Sequence, residues 1–393
     1  MNEIYNKALN LVRNKIKELR KCVPVNKFDV NKPAEIEINK FFYEGKCIDR
    51  IMIVLRSNGC EHYKQTGGCS MCAHYNGTPI NSNTLSENYI NQWNSILNNT
   101  CLDLNLKKEI KLNDYPVLCL YNLGSLLNEN EIKKDAIEYI FKSINSFDNI
   151  KKVIIESRAE YVKEDSLQVI KDNCNKIIEI GIGVESTDDI IRNLCHHKNI
   201  IDKSIFKESV DIIHKLNYKA LAYVNFKPCF LTEQESIDDA IKTTIECFNI
   251  GFDAVSIEPT SLQEYALTDH LYKLGYYRVP WLWSIREIIN GIYKDCHSHN
   301  LDIRIGGYFD EEVLSGSQGA NFNNRNEIFP HETSSNCSNC TKNFIDNIKK
   351  FNMTYDINHL NNIEICKYCY YLWEDSCKIR DSRNIEQRII DIL

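Results

Sequence analysis

No apolar run in the 393-residue sequence reaches the length of a membrane span, so no bilayer-crossing segment is expected. The N-terminal stretch MNEIYNKALNLVRNKIKELR is also unlike an export signal. It is charged and amphipathic, with Ile4, Ala8, Val12, Ile16 and Leu19 on one helical face. The expected compartment is the cytoplasm, with no membrane partner. Basic charge is not in excess: 47 Lys and Arg against 54 Asp and Glu give a net charge of −7. That balance offers no overall attraction to phosphate, so an RNA substrate needs a local patch or a partner to hold it. No repeat of solenoid length is present, and Asn-rich stretches such as NNTCLDLNLKKE and NFNNRNE read as compositional bias, not disorder.

Cysteine, by contrast, is abundant at 17 residues. In a long chain without an export signal, cysteines argue for metal binding or plain buried thiols, not disulfides. Cys22, Cys47, Cys101, Cys119, Cys174, Cys195, Cys229, Cys247 and Cys296 are scattered and read as small buried hydrophobes. The remainder fall into two tight groups, near residue 60 and after residue 337.

Along the chain, short apolar runs alternate with amphipathic segments. The strand-like runs are 51–55, 117–121, 152–156, 177–184, 220–226, 254–258 and 302–306, with helical patterns between most of them. Strands and helices alternating at this spacing predict a parallel α/β sheet, and six or seven such units favour a partial or complete barrel over an open sheet. The alternation stops near residue 311. The expected organisation is an N-terminal helical segment over 1–45, a partial (β/α)6-type barrel over 46–310, and a polar, cysteine-rich, metal-binding C-terminal extension with two helical stretches over 311–393.

The first cysteine group, Cys60-x8-Cys69-x2-Cys72, follows the first predicted barrel strand in RSNGCEHYKQTGGCSMCAHY. Three thiolates on one loop can hold three irons of a [4Fe–4S] cluster and leave the fourth open. Gly59, Gly67 and Gly68 supply the unusual backbone such a loop requires. An open iron can chelate the amino and carboxylate groups of S-adenosylmethionine and pass an electron to its sulfonium. The competing reading is a zinc site completed by His62 or His74. In a βα barrel the active site is assembled from the loops after the strands. Those loops carry Leu123-Gly124-Ser125 for the methionine amino group, Glu156 for a ribose or ammonium hydrogen bond, and Arg158 for a carboxylate. They also carry Gly183 and Glu185, beside an adenosine.

The second group, Cys337-x2-Cys340 and Cys366-x2-Cys369, is a paired knuckle with Cys377 beyond it. Two CxxC pairs form a four-thiolate metal arrangement, for which zinc or an auxiliary iron–sulfur cluster is the expected occupant.

Taken together, RSNGCEHYKQTGGCSMCAHY, YNLGSLLNENEI, ESRAEYV, IGIGVES, FKPCFLTEQESIDDAI, SIEPTSLQEYALTDHLYKLGYYRVPWLWS and SNCSNC resemble one family over about residues 50–340. It is the radical SAM subunit of archaeosine synthase, in the Elongator-catalytic-subunit-like radical SAM class. The resemblance implies a radical SAM barrel and a 5′-deoxyadenosyl radical. It further implies a carbon–nitrogen lyase reaction in tRNA modification, in which a lysine attached to a 7-deazaguanine base is cleaved to leave archaeosine. A transglycosylase-like partner subunit is implied, with tRNA held through it, and a ferredoxin- or flavodoxin-type electron donor. Lys227, Thr260, Gln263 and Tyr308 are then candidates for substrate contact. This sequence departs from the family at Glu156-Ser157-Arg158-Ala159-Glu160, where Glu-Thr-Arg-Pro-Glu is usual, around His331 to Asn336, and in the loop Tyr308 to Asn326. The alternatives are a diverged radical enzyme acting on a small molecule or peptide, and a binding subunit whose cluster is only structural.

Overall fold

The computed structural model describes residues 3–24, 28–78, 84–101, 109–296, 301–308, 311–316 and 332–393. Helix α1 (Glu3–Arg20) leads into a hairpin of β1 (Glu35–Tyr43) and β2 (Lys46–Val54). Its two-residue turn has positive φ at both Glu44 and Gly45, which matches the twist of an antiparallel pair. Parallel strands then follow: β3 (Val117–Tyr121), β4 (Lys152–Ser157), β5 (Ile177–Gly183), β6 (Lys219–Phe226), β7 (Ala254–Pro259) and β8 (Asp302–Ile305). They pair in sequence order from β2 to β8, and β9 (Glu311–Gly316) adds antiparallel to β1. The result is a curled, open sheet of α/β type, a partial barrel whose two edges are β8 and β9.

Helix α2 (Glu61–Thr66) lies in the loop after β2 and α8 (Leu267–Lys273) packs against α1, while α3 (Ser86–Leu97), α4 (Lys134–Asn145), α5 (Glu164–Asn173), α6 (Ser204–Lys215), α7 (Glu233–Ile250) and α9 (Leu282–Asp295) cover the outer face of the sheet. The longest, α7, starts on a capping box of Thr232 and Glu235 and ends at Gly251 in the left-handed region. Outward-facing strand residues such as Leu118, Leu120, Val153 and Ile155 meet these helices in the main apolar core.

The sequence pattern predicts β3 to β8 within two residues at each end, because strands buried on both faces show continuous apolar runs. It does not predict β1, and it starts β2 five residues late. The reason lies on the concave face, where the hairpin carries charge: Asn39 Nδ2 donates to Glu37 (2.7 Å) and Arg50 Nε donates to Asn39 (2.5 Å), all buried. The hairpin spans the expected 45/46 boundary, and β9 joins the same sheet beyond residue 310.

Deeper inside, Glu179 is gripped by Arg304 (2.6 and 3.1 Å) and by Lys152 (2.5 Å). Burial alone would raise the Glu179 pKa, but the two cations outweigh it and hold it at about 2. The face of Phe41 lies against Arg304 and Arg50.

Among the described residues the C-terminal segment holds four helices where the pattern suggests two: α10 (Thr341–Thr354), α11 (Asn358–Asn361), α12 (Cys369–Lys378) and α13 (Ile385–Ile392). Phe344, Ile348, Phe351 and Trp373 are buried in the main core, each contributing roughly 1.5–3 kcal/mol. Ile389 of α13 packs with Tyr5, Ala8, Val12 and Ile16 of α1. Of the nine scattered cysteines, six are buried as expected, Cys296 is half-buried, and Cys22 and Cys47 are exposed. The stretches 102–108 and 317–331, which include part of NNTCLDLNLKKE, all of NFNNRNE and part of the departing C-terminal loop, lie outside the described residues.

Candidate functional site

The loop after β2 is shaped by glycines in the left-handed region. Gly59, Gly67 and Gly68 have φ of 80°, 97° and 86°. A Cβ on Gly67 would sit 2.9 Å from Ile16, and one on Gly59 would sit 3.1 Å from Thr78. This backbone carries Cys60, Cys69 and Cys72, all partly exposed. Burial and then the Glu131 carboxylate push the Cys60 thiol up to about 12; burial and then Cys69 push Cys72 to about 11. Thiols so desolvated keep their protons unless a metal replaces them.

Single-ion zinc coordination with His62 does not fit. His62 is buried, with Nε2 on the His197 carbonyl (2.9 Å) and Nδ1 facing Thr66 Oγ1 (3.2 Å). Among the described residues, the compact ligand set with donor atoms within 4.8 Å is Cys337, Cys340, Cys366 and Cys369, and the three loop sulfurs are not so gathered. Wider spacing suits thiolates that each bind a different iron of a cubane.

The neighbouring strand ends close around this loop. After β3, Gly124 leaves room for Glu131, whose Oε2 a Cβ would approach to 2.0 Å. Glu131 accepts from the backbone N–H of Glu61 and Ser125 and from Asn128, tying the cysteine loop to Leu123, Gly124 and Ser125. Ser125 Oγ accepts from the Arg158 N–H (3.1 Å). Arg158 donates to Glu160 (2.6 Å) and to the Lys198 carbonyl (2.8 Å). Glu156 is pushed up to about 7 by burial, reinforced by the Glu258 and Glu185 carboxylates, while Tyr223 pulls the other way.

Lys198 Nζ bonds Glu185 at 2.7 Å, and a Cβ on Gly183 would lie 2.3 Å from that ammonium and 2.7 Å from the carboxylate. The absence of a side chain at Gly183 is therefore what lets the ion pair lie across the strand end. Electrostatically, Arg158 senses Cys60 and Cys69, and Lys198 senses Cys69.

Thus the residues expected to bind cluster and cosubstrate gather at the C-terminal ends of β2 to β5. Those expected to touch substrate lie at the ends of β6 to β8 and are engaged by protein. Lys227 Nζ bonds Glu233 (2.5 Å), Thr260 donates to Asn225 (2.8 Å), and Gln263 Oε1 accepts from the Ala73 N–H (2.6 Å). Tyr308 is buried and its carbonyl accepts from Asn352 (3.0 Å).

Sequence reasoning missed Glu131, Lys198 and the segment Cys195–Lys198. That segment clamps the cysteine loop through Ser70 Oγ to the Cys195 carbonyl, the Ser70 N–H to the His196 carbonyl, and His197 Nδ1 to the Gly68 carbonyl. His196 is fully buried with neither ring nitrogen bonded among the described residues, and burial drives its pKa down to about 4. The run CHHK was the available signal.

At the C-terminal knuckle, sulfurs of Cys337–Cys340, Cys337–Cys366 and Cys340–Cys369 are 3.5, 3.6 and 3.2 Å apart. Trp283 Nε1 donates to Cys369 Sγ at 3.2 Å. Trp373 Nε1 donates to Ser284, and Ser284 donates to Glu233, so the knuckle is linked through α9 to Lys227.

A curled α/β half-barrel with a three-cysteine loop after its first parallel strand defines a member of the radical SAM class. No protein-family model matches the chain. An uncharacterized Methanocaldococcus jannaschii protein, MJ0550, is 31% identical over 98% of this chain and 96% of its own length. The Methanosarcina acetivorans archaeosine synthase subunit beta is 26% identical over 93% and 95%, and that of Thermococcus kodakarensis 26% over 84% and 92%. Among solved structures, a Clostridium spiroforme queuine lyase matches 70% of this chain and 96% of its own at 18% identity, with a TM-score of 0.43. The chain belongs to the archaeosine synthase subunit beta family.

Proposed function

We propose that this protein is the radical-generating subunit of an archaeosine-forming enzyme, a carbon–nitrogen lyase acting on a lysine-bearing 7-deazaguanine in tRNA. The observation that carries the radical chemistry is the glycine-shaped loop of Cys60, Cys69 and Cys72 beside the Glu185–Lys198 pair across Gly183. The names of the two archaeosine synthase relatives support the substrate. When bound at these cysteines, a [4Fe–4S] cluster supplies one electron to the sulfonium of S-adenosylmethionine, yielding methionine and a 5′-deoxyadenosyl radical that takes a hydrogen atom from substrate.

The chain's own residues do the positioning. Glu131 fixes the backbone of Leu123, Gly124 and Ser125, where carbonyl oxygens accept from the methionine amino group. Arg158, already oriented by Glu160 and the Lys198 carbonyl, faces its carboxylate. Glu185 and Glu156 take the ribose side, and Gly183 makes room for the Glu185–Lys198 pair that lines the adenosine side. Lys227, Thr260, Gln263 and Tyr308 shape the rest of the mouth through their protein partners. The acidic balance of the chain fits tRNA delivery by a transglycosylase-like partner, with a ferredoxin or flavodoxin as reductant.

The C-terminal tetrad we assign to one zinc ion. A tetrahedron with Zn–S bonds of about 2.3 Å has sulfur–sulfur edges of about 3.8 Å, near the 3.2–3.6 Å here and too tight for separate irons. Metal analysis of protein purified without added iron tests this; one zinc per chain is expected, and iron in its place contradicts it.

The function is tested by measuring 5′-deoxyadenosine from the reduced, reconstituted enzyme, then repeating with lysine-modified tRNA and the partner subunit. Stimulation with release of the lysine fragment is expected. No stimulation favours a small-molecule or peptide substrate.

A further inference from the structure

Arg20, Arg158 and Lys198 are buried cations beside the cysteine loop, and two of them are neutralised locally. Arg158 is paired with Glu160 and Lys198 with Glu185. The third, Arg20, ends α1 and is 8% exposed, yet no carboxylate pairs with it among the described residues. Four of its five N–H groups are aimed instead at backbone carbonyls. Nε donates to Gly67 (3.2 Å), Nη2 to Cys69 (3.3 Å) and to Cys72, and Nη1 to Tyr265 (2.9 Å). The guanidinium also lies over the Tyr63 ring at 5.5 Å, and Cys72 and Cys69 are among the ionisable groups it senses. Burying a cation without a counter-ion is costly unless a negative group is supplied nearby. Carbonyl dipoles solvate part of the charge, but they leave it whole.

We propose that Arg20 is a positioning residue that clasps the cluster loop and, as a buried cation with no carboxylate partner among the described residues, raises the reduction potential of the cluster held by Cys60, Cys69 and Cys72. This rests on the cluster reading above. The charge stabilises the reduced state because reduction adds one negative charge beside it. The planar fork of arginine reaches three carbonyls of one loop, which a lysine ammonium matches in charge and not in geometry. Helix α1, outside the barrel, thereby becomes part of the redox centre.

The test is a potentiometric titration of the reconstituted full chain, followed by electron paramagnetic resonance, for wild type, Arg20→Gln and Arg20→Lys. In Arg20→Gln the ratio of reduced to oxidised cluster at fixed potential is expected to fall about tenfold, which is about 59 mV for a one-electron couple. Arg20→Lys is expected to stay within about twofold of wild type while losing iron faster to a chelator, because its charge stays and its clasp does not. An Arg20→Gln cluster with full iron and unchanged potential overturns the proposal. If Arg20→Gln takes up no cluster, Arg20→Lys decides: a potential near wild type supports the charge role, and a shift of about tenfold overturns it. Wild type that binds no four-iron cluster overturns the cluster reading itself, an outcome distinct from a wild-type cluster indifferent to residue 20.

Discussion

Replacing Arg304 by Met removes the larger of the two cations that hold Glu179 inside the barrel. The side chains of Arg304 and Glu179 are 4% and 2% exposed, and Lys152, at 10%, would remain as the carboxylate's ion-pair partner among the described residues. Removing one partner of a buried ion pair costs about 3–5 kcal/mol, because the remaining charge is left under-compensated. The pH dependence gives an independent handle. Glu179 is held at about 2, against an ordinary value of 4.5. That difference corresponds to about 3 kcal/mol at neutral pH. Since its pKa is depressed, this contribution is complete above pH 4.5 and is lost as pH falls towards 2. In Arg304→Met, burial is less opposed and the carboxyl pKa rises, so the variant does not suffer that acid loss. The gap between wild type and variant should therefore be about 3–5 kcal/mol at pH 7 and narrow by about 1 kcal/mol at about pH 3.5. Urea unfolding of metal-free, reduced protein measures both values, and taking the difference cancels acid effects common to the two chains. A gap below about 1 kcal/mol at pH 7, or one that widens in acid, refutes the electrostatic reasoning.

Other outcomes follow from the site. Gly183→Ala places a methyl against Lys198 and Glu185, so S-adenosylmethionine affinity should fall at least tenfold, about 1.4 kcal/mol, with iron content unchanged; calorimetric titration reads it. Glu156 has a raised pKa, about 7, so its ionised form is disfavoured in the fold and stability is lost as pH rises from 4.5 to 7. Glu156→Gln should flatten that loss in thermal scans across the same window; an unchanged slope argues against a neutral Glu156. Cys366→Ser should release the tetrad metal and change the emission of Trp283, whose indole N–H donates to Cys369 Sγ, a thiolate only while the metal is held. Emission identical to wild type after metal loss would speak against that coupling.

Much of the barrel was legible because parallel strands are buried on both faces and so leave continuous apolar runs, as at Val117–Tyr121. The hairpin strand Glu35–Tyr43 was not, because Glu37 and Asn39 point into a polar concave face and break the run. Cys60, Cys69 and Cys72 were visible by spacing alone. Glu131 and Lys198 were invisible for the same reason that they matter: each acts through groups distant in sequence, Cys60's loop for one and Gly183 for the other. Lys227, Thr260 and Gln263 show the opposite limit. Their places after strands are read correctly from order, but Glu233, Asn225 and Ala73 become their partners only in three dimensions. Nor does the polar composition of the C-terminal segment disclose that Phe344 and Phe351 join the main core, since their apolar face is narrow.

The most direct test of radical chemistry at the three-cysteine loop is anaerobic incubation of reconstituted wild type and Cys72→Ala with dithionite and S-adenosylmethionine, measuring 5′-deoxyadenosine. Wild type is predicted to form it and Cys72→Ala to form none. No 5′-deoxyadenosine from wild type carrying four irons at this loop, or undiminished formation by Cys72→Ala, would contradict the assignment.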